Sequence, residues 1–139
     1  MTAKTITDKS IIMCIDDDYD DCILLKSSLE DAGSKATLIC ATDGEEAMKY
    51  LNSTPVSSLP SLIVLDMNML RWDGQRTLSY LKSQPRLAQI QVVVLSTSED
   101  RKEKETCAQL GAVSYFNKPF HYDGYKSIVA NLNNYVNVI

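Results

Sequence analysis

Leu62-Ile63-Val64-Leu65-Asp66-Met67-Asn68-Met69-Leu70 is the stretch from which the fold is read. Four consecutive apolar residues, mostly branched, predict a strand buried on both faces, as in a parallel sheet. The run then meets Asp66, and Trp72-Asp73-Gly74 follows as turn chemistry. An ionised carboxylate is too costly to leave inside an apolar core, so Asp66 is expected at the strand's carboxyl end. In open α/β sheets that edge is where ligands bind. An aspartate that merely ends a strand and caps the next helix would look the same on this stretch alone.

Working outward, similar runs recur. Ile11-Ile12-Met13-Cys14-Ile15 ends on Asp16-Asp17-Asp18, residues 36–41 form a short second strand, and residues 90–95 lead into Ser96-Thr97-Ser98. Residues 112–116 form a last strand before Asn117-Lys118-Pro119-Phe120. Helical patterns lie between and after them. Residues 19–32 place Ile23, Leu24, Ser27, Ser28 and Leu29 at helical spacing, and Gly33 stops the helix. Thr42-Asp43-Gly44 leads into a helix with Glu45 and Glu46 in its first turn, where acidic residues suit the positive end of the dipole. A third helix runs from Gly74 to Ser83 with Leu78 and Leu81 facing inward, and Pro85 closes it. Ser98-Glu99-Asp100 caps a charged helix that reaches Leu110, and the last helix carries Ile128, Val129, Leu132, Tyr135 and Val136.

Five strands alternating with five helices across short loops predict an α/β fold with a doubly wound, five-stranded parallel sheet. With strand order 2-1-3-4-5, the first and third strands are neighbours at the switch point. The carboxylates of Asp16, Asp17 and Asp66 then converge on one crevice, which Ser96 and Lys118 reach from the fourth and fifth strands.

The bulk properties narrow the function classes. The chain's 139 residues suit one domain, 1–139, with a core over about residues 10–137. Lys and Arg number 14 against 18 Asp and Glu, a net charge of -4 with no basic run, which argues against nucleic acid as a partner. The first ten residues are polar, so neither a signal peptide nor a membrane span is expected there. Cys14, Cys22, Cys40 and Cys107 lack metal-binding spacing and are expected to be buried reduced thiols of a cytoplasmic protein.

The chemistry of the crevice follows from its charges. Clustered carboxylates raise one another's pKa unless a cation sits among them. Hard oxygen donors at a partly solvated edge suit Mg²⁺, which takes carboxylates, waters and phosphate oxygens. A carboxylate can also attack phosphorus and become an acyl phosphate, a transfer that depends mainly on positioning and charge neutralisation. A nearby ammonium and hydroxyl, Lys118 and Ser96, meet those needs.

Ile15-Asp16-Asp17-Asp18, Leu65-Asp66-Met67-Asn68-Met69, Val94-Leu95-Ser96-Thr97 and Lys118-Pro119-Phe120 together resemble the signature positions of two-component response-regulator receiver domains. The match runs in order over nearly the whole chain and is similar to stand-alone receivers paired with bacterial phytochrome kinases. The resemblance implies a CheY-like, flavodoxin-like fold and a signalling rather than enzymatic role. It implies that Asp66 is the phosphoacceptor for a histidine kinase or histidine phosphotransfer protein. It also implies that Asp17, Asp66 and the backbone carbonyl of Asn68 bind Mg²⁺, with Asp16 acting through water. Ser96 would bond a phosphoryl oxygen and Lys118 would bridge to it. Tyr115 matches the aromatic switch residue, and Asn68 and Ser98 match two positions that tune autodephosphorylation. A cis Lys118–Pro119 peptide is implied as well, and the output would be a protein contact made by a monomer or weak homodimer. The sequence departs from the family at Leu70, where proline is usual.

A Mg²⁺-dependent phosphatase with an aspartate nucleophile is the enzymatic rival. Such enzymes typically place a second aspartate two positions on, where this chain has Asn68. A flavin-binding module is disfavoured because the acidic loops would repel its phosphate.

Overall fold

The structure, a computed structural model, describes residues 10–69 and 71–136. The expectations for the polar N-terminal residues 1–9 and for Leu70 lie outside the described residues. In chain order the elements are β1 (Ile11–Ile15), α1 (Tyr19–Asp31), β2 (Thr37–Ala41), α2 (Gly44–Asn52), a 3₁₀ turn (Val56–Ser58) and β3 (Leu62–Asp66). They continue with α3 (Gly74–Ser83), β4 (Gln91–Ser96), α4 (Arg101–Gln109), β5 (Ser114–Asn117) and α5 (Tyr122–Leu132). The five strands form one parallel sheet in the order β2-β1-β3-β4-β5, as the alternating pattern predicts.

Each strand alternates its side chains between two apolar layers. On one face Met13, Ile15, Ile63, Leu65, Val92 and Val94 pack with Ala47, Met48 and Leu51 of α2, Leu78 and Leu81 of α3, and Cys107 of α4. On the other, Ile12, Cys14, Leu62, Val64, Val93 and Leu95 meet α1 and α5 through Leu25, Leu29, Tyr125, Ile128, Val129 and Leu132. Burial on both sides explains why the central strands read as unbroken apolar runs.

Helix starts follow their caps. Asp18, Asp43, Asp73 and Asp100 each accept a hydrogen bond from a backbone N–H in the first turn of α1, α2, α3 and α4. Gly33 takes φ +80° just beyond α1, the left-handed conformation that glycine adopts without steric cost.

Several expectations are corrected. The buried face of α1 is Cys22, Leu25, Ser28 and Leu29, which leaves Ile23 exposed. The helix is rotated from the predicted face so that Cys22 turns toward the sheet. Cys22 and Cys40 are joined as a disulfide between α1 and β2, with Cα atoms 6.4 Å apart, so only Cys14 and Cys107 are free buried thiols. That separation lies in the range a disulfide requires. The Lys118–Pro119 peptide is trans, since the described residues contain no cis bond. The Lys118 N–H bonds the Ser96 carbonyl at 2.7 Å, which extends the β4–β5 pairing and aims the lysine with the ordinary isomer. Strand β5 begins at Ser114, two residues later than predicted, and β4 extends to include Ser96.

Candidate functional site

The register builds the site. Ile15 of β1 lies beside Leu65 of β3, so the next residues, Asp16 and Asp66, emerge level at the carboxyl edge. Ser96 of β4 pairs with Asn117 of β5, which places Ser96 and Lys118 at the same edge. One oxygen from each of Asp16, Asp17 and Asp66 lies within 4.8 Å of the others; Asp17 is exposed while Asp16 and Asp66 are buried. These are hard donors with one wet side, a set that fits a hydrated Mg²⁺. A cavity of about 860 Å³ near Val56, Arg86 and Tyr135 lies at the opposite, amino end of the strands and contains none of these carboxylates.

Lys118 supplies the positive charge. Its Nζ sits 2.8 Å from Asp16 Oδ2, 2.8 Å from Asp21 Oδ2 and 3.6 Å from Asp66 Oδ2. Burial pushes the Asp16 carboxyl up to about 7, with the Lys118 bond and the Asp18 N–H offsetting part of that rise. Burial also raises Asp66, against the Asn68 N–H and the charge of Lys118. For Lys118 burial acts downward, but its bonds to Asp16 and Asp21 outweigh it and hold the ammonium above its ordinary value. The site is therefore anionic, dry on two sides and only partly neutralised.

The loop after β3 is held close by α3. A Cβ on Gly74 would lie 2.5 Å from the Met67 Cα and 2.8 Å from the Asp66 carbonyl oxygen, so only glycine lets this helix start so near the carboxylate. The Asn68 N–H donates to Asp66 Oδ1 at 3.1 Å, which fixes the carboxylate plane. Asn68 is exposed and its side chain donates to Thr97 Oγ1 at 3.4 Å. Trp72 packs edge-on to Tyr80 with Arg76 over its ring, 4.0 Å from the centroid.

On the β4–β5 side, Ser96 is fully buried and its Oγ donates to Glu103 Oε2 at 2.6 Å. The Tyr115 hydroxyl donates to the same oxygen and also lies 3.1 Å from the Ser98 carbonyl. Burial and the Glu103 bond push the Tyr115 hydroxyl up to about 12. The Ser98 hydroxyl accepts the Asp100 N–H at 3.0 Å, at the start of α4.

Every predicted site residue thus lies at or beside this edge. Two residues that sequence reasoning passed over also belong to it. Asp21 lies in the first turn of α1, where an acidic residue suits the helix N-terminus without any further partner. Glu103 stands three residues after the Asp100 cap, where a glutamate usually turns back to the cap's own N–H. Both signals describe a helix start, and neither points across to another strand.

A parallel sheet with an acidic pocket, a lysine and a hydroxyl at its carboxyl edge defines the class of proteins equipped to take a phosphoryl group on an aspartate. Residues 12–130 match the response regulator receiver domain, and the chain belongs to that family. It is 32% identical over 111 residues to response regulator Rcp1 of Synechocystis sp., covering 78% of this chain and 76% of that protein. It is 29% identical over 130 residues to the probable methanogenesis regulatory protein FilR2 of Methanothrix harundinacea, covering 92% and 84%. Some other curated relatives are longer, and the chain spans less than half of them. The phosphorylated cyanobacterial phytochrome response regulator RcpA superposes with a TM-score of 0.82 at 30% identity, covering 91% of this chain and 93% of that one. The Mn²⁺-bound form of Rcp1 superposes at 0.79 with 28% identity and the same coverage. Membership implies a phosphodonor kinase as partner. No described helix is long and apolar enough to cross a membrane.

Proposed function

We propose that this protein is a phosphorylation switch in which Asp66 takes a phosphoryl group from a phosphohistidine of a histidine kinase or phosphotransfer protein. The observation that carries this reading is the half-buried Lys118 ammonium set among Asp16, Asp21 and Asp66, with Asp17 completing the acidic pocket. Asp17, Asp66 and the Asn68 carbonyl would hold Mg²⁺, with Asp16 acting through water; the ion would screen the approaching phosphoryl oxygens from the carboxylates.

An Asp66 oxygen attacks phosphorus as the bond to the imidazole nitrogen breaks, and the bonding pair leaves on that nitrogen. The Asn68 N–H at Oδ1 orients the carboxylate, leaving Oδ2 on the lysine side. Lys118 shifts toward the transferred group and neutralises the added charge. Ser96 donates its proton to a phosphoryl oxygen, and Tyr115 follows on β5. Asn68 and Ser98 flank the acyl phosphate and set water's access to it. The output is a protein contact on the face of α4, β5 and α5, made by a monomer or weak homodimer in the cytoplasm, with no nucleic acid bound. The domain extends over residues 1–139, with its core at about residues 10–137.

Intact mass after treatment with acetyl phosphate and Mg²⁺ tests the assignment. The wild type should gain one phosphoryl group and Asp66→Asn none; equal labelling of the two would sink it.

A further inference from the structure

Glu103 has no place in the mechanism above, yet one of its oxygens collects the two hydroxyl groups on which that mechanism depends. Ser96 carries a single proton, and that proton points at Glu103 Oε2 across 2.6 Å. The serine oxygen in turn accepts the Ser98 N–H at 3.1 Å, so the hydroxyl is held from both sides. Tyr115, one strand away, donates to the same Glu103 oxygen. Hydrogen bonds to an ionised carboxylate are roughly twice as strong as neutral ones. This one is shielded from water on the Ser96 side, because Ser96 is fully buried.

The arrangement creates a competition. While the Ser96 proton rests on Glu103, no proton is available from that hydroxyl for an oxygen bound at Asp66. We propose that Glu103 is a positioning residue that holds the Ser96 proton and ties it to Tyr115 until a phosphoryl group takes that proton. The inference rests on Asp66 being the phosphoryl site and deepens that reading. It assigns to α4 the resistance that phosphorylation must overcome. It also gives the link between Ser96 and Tyr115 a material part: a shared acceptor that loses one donor when the phosphoryl group arrives. Tyr115, left as the sole hydroxyl donor to that oxygen or drawn to the Ser98 carbonyl 3.1 Å away, then re-seats against α4.

A glutamate that merely ties down the start of α4 would affect stability alone, so the test reads binding. Beryllofluoride with Mg²⁺ is titrated into the full chain and followed by amide chemical shifts. Glu103→Ala should bind it roughly tenfold more tightly than wild type, the size expected when one charge-assisted hydrogen bond no longer competes. Glu103→Gln, which keeps the shape and a weaker acceptor, should fall between the two and carries the test if the alanine variant does not fold. In a Ser96→Ala background the gain from Glu103→Ala should shrink to within about twofold, because the contested proton is gone. A gain of equal size in both backgrounds would show that Glu103 acts by general charge repulsion and overturn the proposal. So would wild-type affinity in both Glu103 variants. Asp66→Asn separates the two levels. If it binds the probe as the wild type does, the phosphoryl site is misassigned and the inference falls with it. If it abolishes binding while the Glu103 variants match wild type, only the role of Glu103 is lost.

Discussion

Asp17→Asn should raise the melting temperature of the metal-free protein while flattening its response to Mg²⁺. Asp17 is the exposed member of a trio whose oxygens lie within 4.8 Å of one another. Two unit charges at that distance repel by about 1 kcal/mol in a water-like dielectric and about 3.5 kcal/mol at an effective value near 20. Exposure of Asp17 and the ammonium of Lys118 2.8 Å from Asp16 favour the lower figure. A net relief of about 1 kcal/mol corresponds to roughly 3–4 °C for a domain of this size. Mg²⁺ at ten times its dissociation constant should stabilise the wild type by about 1.4 kcal/mol through mass action. That is on the order of 5 °C. The substitution removes a repelling charge and a metal ligand together, so the two effects should appear with opposite signs. Thermal melts at pH 8, above the value to which Asp16 is raised, with chelator or Mg²⁺ at matched ionic strength, separate site binding from screening. If Asp17→Asn melted lower without metal and kept the full Mg²⁺ shift, the three carboxylates would not act as one site.

Reducing the Cys22–Cys40 disulfide, which spans a sequence separation of 18, should lower stability. The chain-entropy estimate is about 3 kcal/mol, measurable by urea unfolding with and without reductant; an unchanged midpoint would mean the bridge does not constrain the unfolded chain. In the metal-free protein Asp16 should make stability fall as pH rises from about 4 to about 7. Its carboxyl keeps a proton in the folded state that the unfolded chain has already released, so the stabilisation is present at low pH and lost through about pH 7. Melts of wild type and Asp16→Asn with chelator should therefore diverge over that window, the variant gaining on the wild type; parallel curves would contradict the assignment. Beryllofluoride should change amide exchange over residues 99–110 and at Tyr115, because Ser96 and Tyr115 both reach α4 through Glu103. Changes confined to the loop at Asp66 would place the output elsewhere.

Much of this protein was legible in the chain itself. The run Leu62 to Leu65, the matching run before Asp16 and the cap before α4 are local signals, set by burial on two faces and by backbone groups that need partners. Alternation of strands and helices then left few topologies, and the order 2-1-3-4-5 among them puts Asp66 beside Asp16. What the chain could not show is which side chains meet across elements. Whether α1 buries Cys22 or Ile23 depends on its rotation against β1 and β2, and that rotation also brings Asp21 to Lys118 and Cys22 to Cys40. Glu103 has the spacing of an ordinary helix-start glutamate, and only the packing of α4 on β4 and β5 turns it to Ser96 and Tyr115. The trans Lys118–Pro119 bond belongs to the same class, since Lys118 reaches Asp16 and Asp21 from a backbone set by its pairing with Ser96. A pattern along one chain reports what each residue needs, whereas the partner that meets the need is fixed by the relative placement of elements distant in sequence.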